Sequence, residues 1–288
     1  MVRNLLLGST ALAAAPSLAL AGTSAEETSH RLKGNIRHSV CHWTYNFLPL
    51  DELCAAVKKI GFSAIDLVGP KDWPTLKKWG IDSSMCNGAE ISLTEGWNHR
   101  EYHPVLIKNY TEHINLVADA GYKNLICFSG SRKGMDDETG LKNCADGLKQ
   151  VMALAEKRGI MIQMELLNSK IDHHDYMCDR SAWGIELCKR LGSPNFKLLY
   201  DIYHMQIDEG DVIRTINEHH DYFGHYHTAG VPGRHEIDNT QELYYPAIMT
   251  AIKNTGFKDY VAQEFIPTGK TNGDRIAALK KAVQVCDV

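Results

Sequence analysis

Eight short apolar runs separated by amphipathic stretches recur along the chain, and this alternation restricts the fold more than any other feature. The runs are Arg37–Trp43, Ala64–Val68, Ile81–Met85, Asn124–Phe128, Met161–Leu166, Phe196–Asp201, Phe223–His227 and Asp259–Phe265. Helical patterns lie between them at Leu50–Ile60, Tyr102–Ala120, Gly140–Lys157, Ser181–Leu191, Val212–His219, Leu243–Lys253 and Gly273–Val285, and Pro74–Trp79 reads as a short helix. Several patterns end on a glycine, the residue that closes a helix in the left-handed conformation. Eight strands alternating with about as many helices over roughly 250 residues match an α/β fold, a single (β/α)8 TIM barrel. A doubly wound sheet would need fewer strands and usually a phosphate-binding loop. Neither G-x-G-x-x-G nor G-x-x-x-x-G-K-[ST] occurs, so nucleotide cofactors lose support.

Of the 288 residues, 44% are hydrophobic and 23% charged, which excludes disorder and an array of membrane helices. The net charge of −4 provides no basic field for phosphate backbones, and no nucleic-acid partner is expected. Residues 1–21 read as a signal peptide: Arg3, an apolar run from Leu5 to about Leu20, then Ala19-Leu20-Ala21 before Gly22. Residues 22–33 read as a polar linker and 34–288 as the barrel. The expected location is outside the cytoplasm, in the periplasm, by the general or the twin-arginine route, with no stable membrane association after cleavage. A homo-oligomer is compatible with the composition. The eight cysteines contain no C-x-x-C, and most are expected as free buried thiols, none of them in the site described next.

Four of the last strands stop in polar residues. Met161–Glu165 and Phe196–Asp201 end in carboxylates, Tyr222–His227 in an imidazole, and Tyr260–Glu264 in a third carboxylate. The intervals of 36, 26 and 37 residues are each about one βα unit, so the four occupy equivalent places on consecutive strands. In a barrel those places converge on the C-terminal mouth. Three carboxylates gathered there repel one another and are costly to desolvate, and a divalent cation compensates them. Oxygen donors with one imidazole suit Mn2+, Mg2+ or Co2+.

His204, three residues past Asp201, and Arg234, held in a Gly/Pro-shaped loop, are candidates for gripping substrate oxygens. The segment from Asn168 through Asp172, His173, His174 and Asp175 reads as a substrate loop or a solvated surface rather than a second metal site, and Asn168 is its candidate substrate-binding residue. Tryptophans such as Trp43 and Trp97 are either pocket walls or core.

The segments Glu165-Leu-Leu-Asn168, Asp201-Ile-Tyr-His204-Met-Gln, His227-Thr-Ala-Gly-Val-Pro-Gly-Arg234-His-Glu and Gln263-Glu264-Phe-Ile-Pro resemble the hydroxypyruvate isomerase family of the xylose isomerase-like TIM-barrel superfamily. The resemblance covers about Met161 to Thr268. It implies metal ligation by Glu165, Asp201, His227 and Glu264, an acid/base pair in Glu165 and Glu264, and substrate contacts from His204 and Arg234. His227 departs from the pattern, since that family carries glutamine there and related ketose epimerases carry histidine. The implied activity is a metal-dependent aldose–ketose isomerase passing through an enediolate, acting on a small sugar or hydroxy-keto acid. Alternatives are a keto-sugar epimerase, an inosose-type dehydratase, and a non-catalytic exported carbohydrate-binding protein.

Overall fold

Each apolar run forms a strand: β1 (Arg37–Val40), β2 (Ala64–Val68), β3 (Asp82–Cys86), β4 (Asn124–Cys127), β5 (Met161–Glu165), β6 (Phe196–Asp201), β7 (Phe223–Thr228) and β8 (Tyr260–Gln263). These come from a computed structural model that describes residues 31–288; the leader over 1–21 and the linker as far as residue 30 lie outside the described residues. Neighbouring strands pair in parallel in the order β1-β8-β7-β6-β5-β4-β3-β2. β1 and β2 meet through an isolated parallel bridge, Cys41 to Asp66, which closes the ring as a single (β/α)8 barrel.

The connecting helices are α1 (Leu50–Ile60), α2 (Trp73–Trp79), α3 (His103–Ala120), α4 (Asp137–Arg158), α5 (Ser181–Leu191), α6 (Ile202–Asp208), α7 (Val212–His219), α8 (Tyr245–Asn254) and α9 (Asn272–Cys286). α1 buries Leu53, Cys54 and Val57 at one-turn spacing while its charged residues face out. Burying an aliphatic side chain of this size contributes about 1.5–3 kcal/mol. α3 and α4 touch closely through Gly147, where an added Cβ would lie 2.7 Å from Trp97 and 2.8 Å from His103. Trp97 is thus core rather than pocket wall, 0% exposed.

Three differences from the sequence expectations shape the mouth. β1 stops at Val40, not Trp43, and His42–Tyr45 form a 3-10 turn that leaves Trp43 39% exposed. β8 stops at Gln263, although Glu264 N–H still donates to Thr228 O at 2.8 Å and so keeps the strand's direction. α6 forms where the sequence pattern assigns no helix, because Asp201 Oδ1 accepts from the backbone N–H of Tyr203 and of His204 and caps it.

All eight cysteines are free and buried. Among the described residues no helix is long and apolar enough to cross a membrane.

Candidate functional site

The four polar strand ends converge. Glu165 closes β5, Asp201 closes β6, His227 lies in β7 and Glu264 follows β8 directly. One ligand atom from each falls within 4.8 Å of the others, and all four residues are buried. His227 Nδ1 lies 2.8 Å from Glu264 Oε2 and 3.2 Å from Glu165 Oε1, without hydrogen-bond geometry to either. Glu165 Oε1 is likewise a buried acceptor with no donor.

The electrostatics are strained. Burial raises the pKa of Glu165, and burial with the nearby Glu264 raises Asp201 well above the usual carboxylate range. Burial acts on Glu264 too, but Arg234 and His227 outweigh it and hold its carboxyl well below that range. Oxygen and imidazole donors that approach one another without bonding, with surplus negative charge, fit a divalent cation.

Arg234 stands over the cluster. Its Nη2 donates to Glu264 Oε2 at 2.6 Å and to Asp201 Oδ2 at 3.4 Å, and its guanidinium lies 5.2 Å from the Trp43 ring centre and 5.4 Å from that of Tyr203. The residue has φ 58, in the left-handed region, and Ile266 N–H donates to its carbonyl at 2.7 Å. Trp43 Nε1 donates to the other oxygen of Glu264 at 2.7 Å.

His204 is fully buried, and burial lowers its pKa well below the ordinary histidine value, so the ring is neutral. Its Nδ1 lies 2.6 Å from Asn168 Nδ2. Asn168 Oδ1 accepts from the backbone of Ile171 and Asp172, which makes Nδ2 the donor to His204 and to Asp172 Oδ2. The remaining proton of His204 therefore sits on Nε2, a buried atom with no hydrogen-bond partner, 3.6 Å from Asp201 Oδ2.

Asn168, the candidate substrate-binding residue of this loop, bonds through its amide to the loop and to His204, and so holds the His204 ring. One expectation is revised here. The cysteines were expected to lie away from the site, yet Cys41, which follows β1 at the seam with β2, brings its Sγ to 3.8 Å from His227 Nε2. His173 packs on His204 with ring centres 5.1 Å apart, and no metal-competent group among the described residues includes Asp172, His173 or His174. The sequence reading missed Asp66 and His225, both 0% exposed beneath His227; the available signal was a lone Asp inside the apolar run Ala64–Val68.

A second cavity of about 520 Å³ opens at the opposite end of the barrel among Arg37, Asp82, Asn124 and Lys197. Arg37 there bonds to Tyr260, Asn124 to Ser84 and Asp259, and Lys197 to Asp221.

Comparison with known proteins agrees with this architecture. The 2-oxo-tetronate isomerase of Cupriavidus necator is 34% identical over 118 residues, 41% of this chain and 45% of that protein. The protein of the same name from Pectobacterium atrosepticum is 28% identical over 235 residues, 78% of this chain and 89% of the relative. The hydroxypyruvate isomerase of Escherichia coli is 28% identical over 159 residues, 55% and 61% of the two chains. The chain thus spans about half the length of the Cupriavidus relative. The sequence model of the Xylose isomerase-like TIM barrel family matches residues 98–285, more than half of the chain, and the chain belongs to that family.

Proposed function

We propose that the chain is a divalent-metal-dependent isomerase of the aldose–ketose type, acting on a small hydroxy-keto acid or ketose. The observation that carries this reading is the convergence of Glu165, Asp201, His227 and Glu264 within 4.8 Å at the barrel mouth. Relatives named 2-oxo-tetronate isomerase and hydroxypyruvate isomerase support the reaction class.

A cation held by those four residues would polarise the substrate carbonyl and offset the surplus carboxylate charge. The remaining work falls to side chains. His204 offers Nε2–H to a substrate oxygen, with Asn168 fixing its tautomer. Arg234 and Trp43 each donate to Glu264 and so aim its carboxylate. One of Glu165 and Glu264 takes a proton from the hydroxyl-bearing carbon, leaving an enediolate. A proton is then returned to the former carbonyl carbon, while the hydroxyl proton passes from one oxygen to the other. The product is an isomer of the substrate, and each acid/base role contributes about 10²–10⁴ in rate.

Incubation in deuterated water with Mn2+, Mg2+ or Co2+ and a panel of hydroxy-keto acids and ketoses tests this by NMR. Deuterium at the former carbonyl carbon of an isomerised product is expected. Inversion at a single carbon would instead mark an epimerase, release of water a dehydratase, and binding with no exchange of any carbon-bound proton a non-catalytic binder. Glu165→Gln and Glu264→Gln should each lose at least 10²-fold in turnover with the fold intact, and near-normal activity in either would sink the mechanism. We also propose export through residues 1–21. Mass spectrometry of protein secreted from the full chain should find the new N-terminus at Gly22, and retention of Met1 would reject it.

A further inference from the structure

We infer that Asp66 is a positioning residue for the candidate cation site, dictating which ring nitrogen of His227 faces the three carboxylates. The inference rests on the reading of His227 as a ligand given above.

The backbone around Asp66 is built irregularly. β2 slips register against β3 on both sides of it, between Ile65 and Asp66 and again between Asp66 and Val68. Leu67 between them has φ 55, a left-handed conformation that costs a leucine on the order of 1–3 kcal/mol. Such breaks re-aim side chains beside functional sites. Here the bridge from Cys41 to Asp66 that joins β1 to β2 holds the break in place.

The carboxylate that this geometry aims inward is 0% exposed and surrounded by donors. His227 Nε2 is 3.0 Å from Oδ1, and Cys41 Sγ donates to the same oxygen at 3.6 Å. Ser84 Oγ donates to Oδ2 at 2.6 Å, and His225 Nε2 lies 2.9 Å from that oxygen. An ionised carboxylate only accepts, so the bond from His227 places a proton on Nε2. When a cation takes the place of any Nδ1 proton, His227 is neutral and its Nδ1 lone pair faces the ion between Glu165 and Glu264. The competing tautomer would carry its proton on Nδ1, donate it to Glu264 and cease to be a ligand. Asp66 disfavours that tautomer. A carboxylate behind a ligating histidine typically accounts for 10–100-fold in metal affinity.

The test is a double-mutant cycle on the full chain with Mn2+ as probe, read by titration calorimetry. Asp66→Asn must turn its NH2 toward one of the surrounding donors, and Mn2+ affinity is expected to fall roughly 10–100-fold. His227→Asn keeps a polar atom near the Nδ1 position but nothing within reach of Asp66. In that background Asp66→Asn should cost nothing further, and an equal loss in both backgrounds would overturn the inference. Ser84→Ala, which removes one anchor of Asp66, should lower affinity less and in the same direction, and keeps the test open if Asp66→Asn does not fold. NMR separates this inference from the site reading. The His227 Nε2–H resonance, shifted downfield by a carboxylate partner, should move upfield in Asp66→Asn whether or not metal is bound. A wild-type chain that binds no divalent ion would overturn the site reading. An unmoved resonance would overturn the role of Asp66.

Discussion

Arg234 Nη2 donates to Glu264 Oε2 at 2.6 Å, and this contact ties the loop after β7 to the end of β8. The guanidinium is clamped between Trp43 and Tyr203 and reaches Asp201 as well, so one planar cation orients two of the proposed ligands. Lysine carries the same charge but neither the fork nor the flat face for stacking. Arg234→Lys should therefore lower kcat/KM by about 10²-fold, the scale seen when one preorganised donor is removed from a charged site. Steady-state kinetics check this, and a loss under threefold would show that charge alone suffices.

Loading the site should stabilise the fold. A ligand that binds only the native state at 100 times its Kd adds about 2.7 kcal/mol, which raises the melting temperature by several degrees in a domain of this size. Thermal melts after chelation and after addition of Mn2+, Mg2+ or Co2+ measure the effect. Melts and turnover that are indifferent to both treatments would reject the cation.

The barrel and the four strand-end residues were legible because each depends on local periodicity. A strand that ends in a carboxylate once per βα unit places that carboxylate at the mouth whatever the detailed packing. Asp66 was hidden for the opposite reason. Its aim comes from a slip of β2 against β3 and a left-handed Leu67, which arise only when strands meet. Cys41 read as one more buried thiol because nothing local announces that the end of β1 brings it to His227. α6 was missed because Asp201 was weighed only as a ligand, although its other oxygen caps the helix. The bond from Asn168 to His204 was not legible either, since it depends on where His204 packs.

Gly147→Ala should destabilise the barrel although alanine is the better helix former by about 1 kcal/mol. The new methyl would meet Trp97 at 2.7 Å and the His103 ring at 2.8 Å, and both are held, His103 by a 2.9 Å contact to Trp97 O. Overpacking of this kind costs about 1–3 kcal/mol. Urea titration should give a lower midpoint, and a higher one would mean that α3 and α4 separate freely.

The thiols should be silent in the native state. All eight cysteines are free and buried, and burial pushes the thiols of Cys86 and Cys188 up to about 12. Thiolate is the reactive form, so a thiol-specific reagent should label none rapidly before unfolding and all eight in denaturant. A melting temperature that falls on addition of a reductant would contradict the free-thiol arrangement.

Asp287 should make stability depend on acid. It follows α9 and closes the barrel's end onto the chain before β1. Lys33 N–H donates to its Oδ2 at 2.8 Å, and His38 Nε2 lies 3.7 Å from Oδ1 with both side chains fully buried. Burial opposes the charge, but His38 and the Lys33 backbone outweigh it and lower the pKa below the ordinary aspartate value. A carboxyl lowered in the folded state contributes stability that is fully present above its unfolded pKa of about 3.9 and is lost as pH falls through the folded value. Asp287→Asn should thus cost about 1.5–3 kcal/mol near neutrality, the range for hydrogen bonds to charged groups. The gap between the two proteins should hold down to about pH 5 and close below roughly pH 3.9. Urea midpoints measured across that range decide it, because a gap of unchanged size at pH 3 would assign the loss to packing and not to the charge.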